Sequence, residues 1–146
     1  MKGFTLIELL IVMAIALILV TASVPIYSRL QVSAQLNETT SQIIQTLRTA
    51  RERSVEGVNN SRHGVYFGSN TYTLYQGNNY SGRDTEYDRT ETLTNALSLI
   101  YTITDGDVNF TKNKGKVSNT GTITLTHNVT GSRDIVVNKF GVVEEN

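Results

Sequence analysis

The side chain with the clearest chemistry is Glu8. It is the only charged residue between Phe4 and Val24, a stretch that also lacks Gly and Pro. An ionisable group in such a run costs roughly 2.5 to 3.5 kcal/mol near the centre of a bilayer, and marks a functional position by default. A carboxylate held away from water needs a cationic partner, so Glu8 poses the question of what it pairs with. Other reactive groups are sparser. Lys112, Lys114 and Lys116 alternate with Asn113 and Gly115. In an extended segment all three ammonium groups share one face, a candidate nucleic-acid contact, although such a run more often solubilises a loop. Asp105-Gly106-Asp107-Val108-Asn109 is rich in oxygen ligands. It lacks the downstream glutamate and spacing of an EF-hand and reads as a plain turn. His63 and His127 stand far apart, each beside an expected strand, and there is no Cys. That excludes a zinc site of the usual Cys/His kind. No nucleophile elbow, phosphate loop or paired-acid motif stands out. The chain therefore reads as a non-enzyme with no cofactor and no metal.

The elements that must position these groups follow from hydrophobic patterning. Phe4 to Val24 is long enough to cross a bilayer as a helix, which needs roughly 20 mainly apolar residues. Lys2 before it fits the positive-inside rule. Pro25, the single proline, removes a helical hydrogen bond and predicts a kink. Beyond it, residues 25–58 read as an amphipathic continuation. Leu36, Ile43, Leu47 and Ala50 lie near one stripe, with Ile44 and Val55 beside it. Arg48, Arg51, Glu52, Arg53 and Glu56 fill the other face, with weak pairs such as Glu52 with Arg48. Gly57 and Asn59-Asn60 end the helix.

From residue 59 to 146 the texture is that of a globular β domain. Gly64–Phe67 and Thr71–Tyr75 read as a hairpin around Gly68-Ser69-Asn70. Residues 78–92 are polar and turn-rich, a loop candidate. Leu97–Thr104, Val108–Phe110, Thr122–Thr126, Asp134–Asn138 and Gly141–Val143 follow as short strands. The expected fold class is α+β, a long helix on an antiparallel sheet or small sandwich. The 146 residues carry a formal net charge of zero, so no global basic field advertises nucleic acid. Asn37-Glu38-Thr39, Asn79-Tyr80-Ser81, Asn109-Phe110-Thr111 and Asn128-Val129-Thr130 match a glycosylation acceptor pattern that an Asn- and Thr-rich chain produces by chance.

An ordinary signal peptide and a plain membrane anchor both leave Glu8 unexplained, and the apolar run exceeds a usual signal h-region of about 7 to 15 residues. Lys2-Gly3-Phe4-Thr5-Leu6-Ile7-Glu8-Leu9 resembles the processing motif of type IV pilins and type II secretion pseudopilins. The resemblance implies a leader of residues 1–3, cut between Gly3 and Phe4 by a prepilin peptidase, with N-methylation at Phe4. It places Glu8 fifth in the mature chain. Cleavage leaves a cationic amine at the helix start, and Glu8 of a neighbouring subunit can pair with it. In lipid, polar pairs and packing rather than hydrophobicity hold helices together. The kink expected at Pro25 also fits this pilin-like pattern.

The C-terminal part carries a narrower resemblance. Leu47-Arg48-Thr49-Ala50-Arg51-Glu52-Arg53-Ser54-Val55, the Gly121–Leu125 strand, and Arg133–Asn138 with Gly141-Val142-Val143 resemble the GspH/FimT minor pseudopilins. Some members bind DNA through a C-terminal Gly-Arg-x-Arg-like motif. Here the matching stretch is Gly141-Val142-Val143-Glu144-Glu145, in which both arginines are missing and two acids follow, against the Lys/Arg neutralisation that phosphate binding needs. The expectation is a minor pilin or pseudopilin, in initiation or at the tip of a filament. Its partners would be other pilins, the peptidase and the bacterial inner membrane, which it crosses once with the C-terminal domain outside the cytoplasm. The alternatives are a pilus-borne binding module for DNA or surfaces, and the major pilin itself.

Overall fold

The computed structural model describes residues 3–129 and 131–146, without the side chains of residues 22–29. One helix, α1 (Leu6–Glu56), is followed by eight strands. Thr5 caps its start in extended conformation, its hydroxyl accepting from the Glu8 N–H at 3.3 Å. Gly57 ends it with φ +68°, its N–H donating to the Arg53 and Ser54 carbonyls. A left-handed glycine is the usual way to satisfy the last orphan carbonyls of a helix. Asn59 and Asn60 follow with positive φ, so the expected stop signals act as expected. The helix is continuous through position 25. The side chain of Pro25, where a kink is expected, is not among those described, and Met1, Lys2 and Thr130 lie outside the described residues.

The strands are β1 (His63–Phe67), β2 (Thr71–Gln76), β3 (Asp84–Thr92), β4 (Leu97–Tyr101), β5 (Asp107–Phe110), β6 (Gly121–His127), β7 (Gly131–Val137) and β8 (Val143–Glu145). They form two four-stranded antiparallel sheets, ordered β3-β2-β1-β5 and β4-β6-β7-β8. An isolated antiparallel bridge joins Phe110, the last residue of β5, to Val117. Both sheets and α1 feed one apolar core that includes Leu47, Val65, Phe110, Ile123 and Ile135. Leu36, Ile43, Leu47 and Ala50 are buried as the stripe predicts, and so is Ile44, whereas Val55 is 41% exposed. The stripe also holds two residues that apolar counting passes over. Thr40 is buried, its hydroxyl donating to the Leu36 carbonyl at 2.8 Å. Ser54 joins the helix end to β1, its Oγ accepting from the His63 N–H at 2.8 Å and donating to the His63 carbonyl at 3.2 Å.

Three expectations need correction. Residues 78–92 are not one loop, because Asp84–Thr92 is the nine-residue strand β3. Eight of its nine residues are exposed, so an edge strand open on both faces carries no hydrophobic alternation to read. The strand expected over Leu97–Thr104 stops at Tyr101, since Thr104–Gly106 is a 3-10 turn with Asp105 at φ +57°. The Glu52–Arg48 pair does not form among the described residues. Arg48 instead directs Nη2 towards the Val143 carbonyl at 3.5 Å.

Candidate functional site

The N-terminal segment brings the sequence candidates together. Gly3 is exposed, and a Cβ built on it would meet nothing within 4 Å. The fold therefore places no steric demand for glycine at this position. Phe4 is 83% exposed. Glu8 sits in the first turn of α1, where a carboxylate is favoured by the helix dipole. Thr5 three residues earlier makes the Thr-x-x-Glu arrangement of a capping box, of which the Thr5 half is formed. Sequence reading missed this local role, although the spacing signals it. The Glu8 carboxylate has no ion pair among the described residues.

Beyond Glu8 the helix is apolar all round. From Leu6 to Val20 its large apolar side chains are 53–80% exposed. A helix hydrophobic on every side belongs in a core or a membrane, and among the described residues no core encloses Leu6 to Ile18. The hydroxyl of Thr21 is satisfied within the helix by the Leu17 and Ile18 carbonyls at 3.2 and 2.9 Å, so it needs no water. Among the described residues no helix is long and apolar enough to cross a membrane. The described side chains of the run stop at Thr21.

The lysine run is not extended. Lys112-Asn113-Lys114 forms a turn with Asn113 at φ +63°, so the three lysines do not line one strand face. The Lys112 ammonium bonds to Asn60 Oδ1; Lys114 and Lys116 are exposed. Of the oxygen-rich Asp105–Asn109 segment, expected as a plain turn, only Asp105 and Gly106 lie in a turn, and Asp107, Val108 and Asn109 form the start of β5. Its Asp107 carboxylate is occupied from both sides, accepting from Tyr75 Oη at 2.5 Å and from the Tyr80 N–H at 3.1 Å. Burial first, then this bond to Asp107, raise the Tyr75 pKa well above the usual phenol range. Gly64 makes the contact reachable, because a Cβ there would come within 2.5 Å of Tyr75 Oη. Asn109 donates to Tyr75 Oη and the Gly77 carbonyl at 2.9 and 3.0 Å, so its amide serves the fold. Above this cluster Tyr80 stacks on Tyr66 at 3.7 Å, and the Arg83 guanidinium lies 3.7 Å over the Tyr80 ring. Arg83 also pairs with Asp88 at 2.8 Å. Sequence reading missed this stack, whose members come from a strand and a turn.

His63 and His127 lie in different sheets, both buried. Burial first, then the charge of Arg53, lower the His63 pKa. His127 Nδ1 accepts from the Val129 N–H at 3.1 Å. Among the described residues no group of three or more His, Cys, Asp or Glu could hold a metal.

The prokaryotic N-terminal methylation motif matches residues 1–24. That motif supports a type IV pilin-like protein, and implies processing by a prepilin peptidase and assembly with other pilins. No curated protein and no solved structure matches the chain.

Proposed function

We propose that this chain is a structural subunit of a type IV pilus or a type II secretion pseudopilus, cut after Gly3, methylated on Phe4 and held in the bacterial inner membrane before assembly. One observation carries the reading. The apolar half of α1 is exposed on every side from Leu6 to Val20, with a first-turn carboxylate that has no ion pair among the described residues and an unconstrained glycine just ahead. In the filament, Glu8 of one subunit pairs with the Phe4 amine of its neighbour. The pair fixes register, because an unpaired charge in an apolar bundle is strongly unfavourable. The globular part faces outward and contacts other subunits.

A minor role in initiation or at the tip rests on the resemblance of the C-terminal part to the GspH/FimT pseudopilins. A second reading, the major pilin itself as a run of identical subunits, is favoured by the four carboxylates of edge strand β3 and the lysine turn that follows the opposite edge strand β5. The test is mass spectrometry of filaments sheared from the native cells, reading the N-terminal peptide and its abundance. A methylated Phe4 terminus at trace level supports the minor role. The same terminus as the dominant species supports the run of identical subunits. Mature protein confined to the membrane indicates a secretion pseudopilus, and an uncut Met1 terminus overturns the reading.

A further inference from the structure

β3 is the outermost strand of the first sheet and pairs on one side only, with β2. It carries Asp84, Glu86, Asp88 and Glu91 against the single base Arg89. Asp88 is taken by Arg83, and Asp84 Oδ1 accepts from the Glu86 N–H at 3.2 Å. Glu86 and Glu91 are exposed and have no ion pair among the described residues. Arg89 and Glu91 line a groove beside Gln42 and Thr46 of α1.

The opposite edge strand β5 carries Asp107 and no base, but the turn that follows it is basic. β5 runs into the turn that carries Lys112, Lys114 and Lys116. Lys139 is brought alongside, its carbonyl accepting from the Val117 N–H at 3.3 Å and its ammonium 5.2 Å from the exposed Phe140 ring. Lys114, Lys116 and Lys139 have no ion pair among the described residues. The chain as a whole is formally neutral. The acidic β3 edge and the lysine turn that follows β5 thus lie on opposite sides of the first sheet, whose edge strands are three inter-strand gaps, about 14 Å, apart.

We propose that the β3 edge of one copy docks against the lysine turn of the next copy. The inference rests on the filament reading and, within it, on a run of identical subunits. Two β3 edges facing each other would set Glu86 and Glu91 against their own kind, which is destabilising. An unlike-edge contact avoids this, and it is heterologous. A heterologous contact that does not close into a ring propagates as a helical filament. The outer N–H and C=O groups of β3 add a row of backbone partners.

The chain has no cysteine, so introduced thiols report cleanly. The full-length double variant Glu86→Cys/Lys114→Cys is expressed as the only copy in the native cells and oxidised. The expected result is a ladder of covalent dimers, trimers and larger products, with each single variant remaining monomeric. The two positions cannot bridge within one copy, because a disulfide needs Cα atoms within about 7 Å. A dimer from Glu86→Cys alone means like edges meet, and overturns the proposal. Absence of a ladder also overturns it. If the chain is then still cut before Phe4 and found in filaments, the filament reading survives. If it is uncut and unassembled, both fall. As a second readout, Glu86→Lys and Lys114→Glu should each cut filament recovery several-fold, and the two together should restore it. Failure of the paired reversal to rescue counts against the contact.

Discussion

α1 is one helix with two characters. From Leu6 to Val20 its apolar side chains are exposed on every side. From Leu36 to Ser54 the buried residues keep to one stripe, and Arg48 and Glu52 remain exposed. Both halves obey the same 3.6-residue period, so the difference lies in what surrounds them. The second half meets its partner, two sheets, within the chain. Among the described residues neither sheet covers the first half from Leu6 to Ile18, which stays open to a partner outside the chain. The sole carboxylate of the first half is therefore expected to act between molecules, and the charges of the second half to act as ordinary surface groups.

Substitutions on the two halves should separate cleanly. The largest effect is expected for Glu8→Leu. Removing one member of a buried ion pair costs roughly 3 to 5 kcal/mol. Incorporation into sheared filaments should collapse while membrane insertion is retained, and normal incorporation would sink the pairing. Glu52→Leu, on the other half, should leave incorporation close to wild type. Next comes Leu47→Ala. Leu47 is fully buried, and the truncation should destabilise the folded part by about 2 to 5 kcal/mol. A denaturant titration of the detergent-solubilised chain reads this directly. Leu10→Ala in the same titration should shift stability by no more than about 0.5 kcal/mol. Equal shifts for the two would erase the distinction between the halves.

Ser54→Ala should follow, at about 1 to 3 kcal/mol, because it leaves the buried His63 N–H without its acceptor. The smallest effect is a pH slope. His63 is buried, and burial and Arg53 lower its pKa from the ordinary 6.5. The unfolded chain therefore takes up the proton first as pH falls. The stability gained from neutral His63 is full above pH 6.5 and is lost progressively below it, towards the lowered folded value. Thermal melts across that range should show a shallower decline for His63→Gln than for wild type. Parallel curves would remove His63 from the account.

Much of the fold is legible in the sequence because its signals are local. The leader motif, the apolar run, Gly57 and the Gly68-Ser69-Asn70 hairpin all act within a few residues. β6 and β7 announce themselves by alternation, since Ile123, Leu125, Ile135 and Val137 point into the core. β3 is silent for the opposite reason, being solvated on both faces. The candidate site is legible in its residues, Gly3, Phe4 and Glu8. The Thr5 cap is signalled only by its Thr-x-x-Glu spacing, which apolar patterning passes over. The Tyr66–Tyr80–Arg83 stack and the fate of Asp107 are not legible, because they are decided by pairing across strands. The lysine run misleads because Asn113 takes a left-handed conformation, which breaks the alternation that would align its neighbours.

The unbroken course of α1 also sets a height. Among the described side chains of the helix, Leu36 is the first to reach the core, twelve positions beyond the end of the apolar run at Val24. At 1.5 Å per residue that interval spans about 18 Å. On the membrane reading, the head rides on a stalk taller than the headgroup layer, which adds only about 5 to 8 Å to each side of the hydrocarbon. The length of this neck, more than its composition, then governs how the head meets its surroundings. Seven residues inserted after Ala34 would raise the head by about 10 Å and return it to nearly the same azimuth, whereas two would swing it through about 200°.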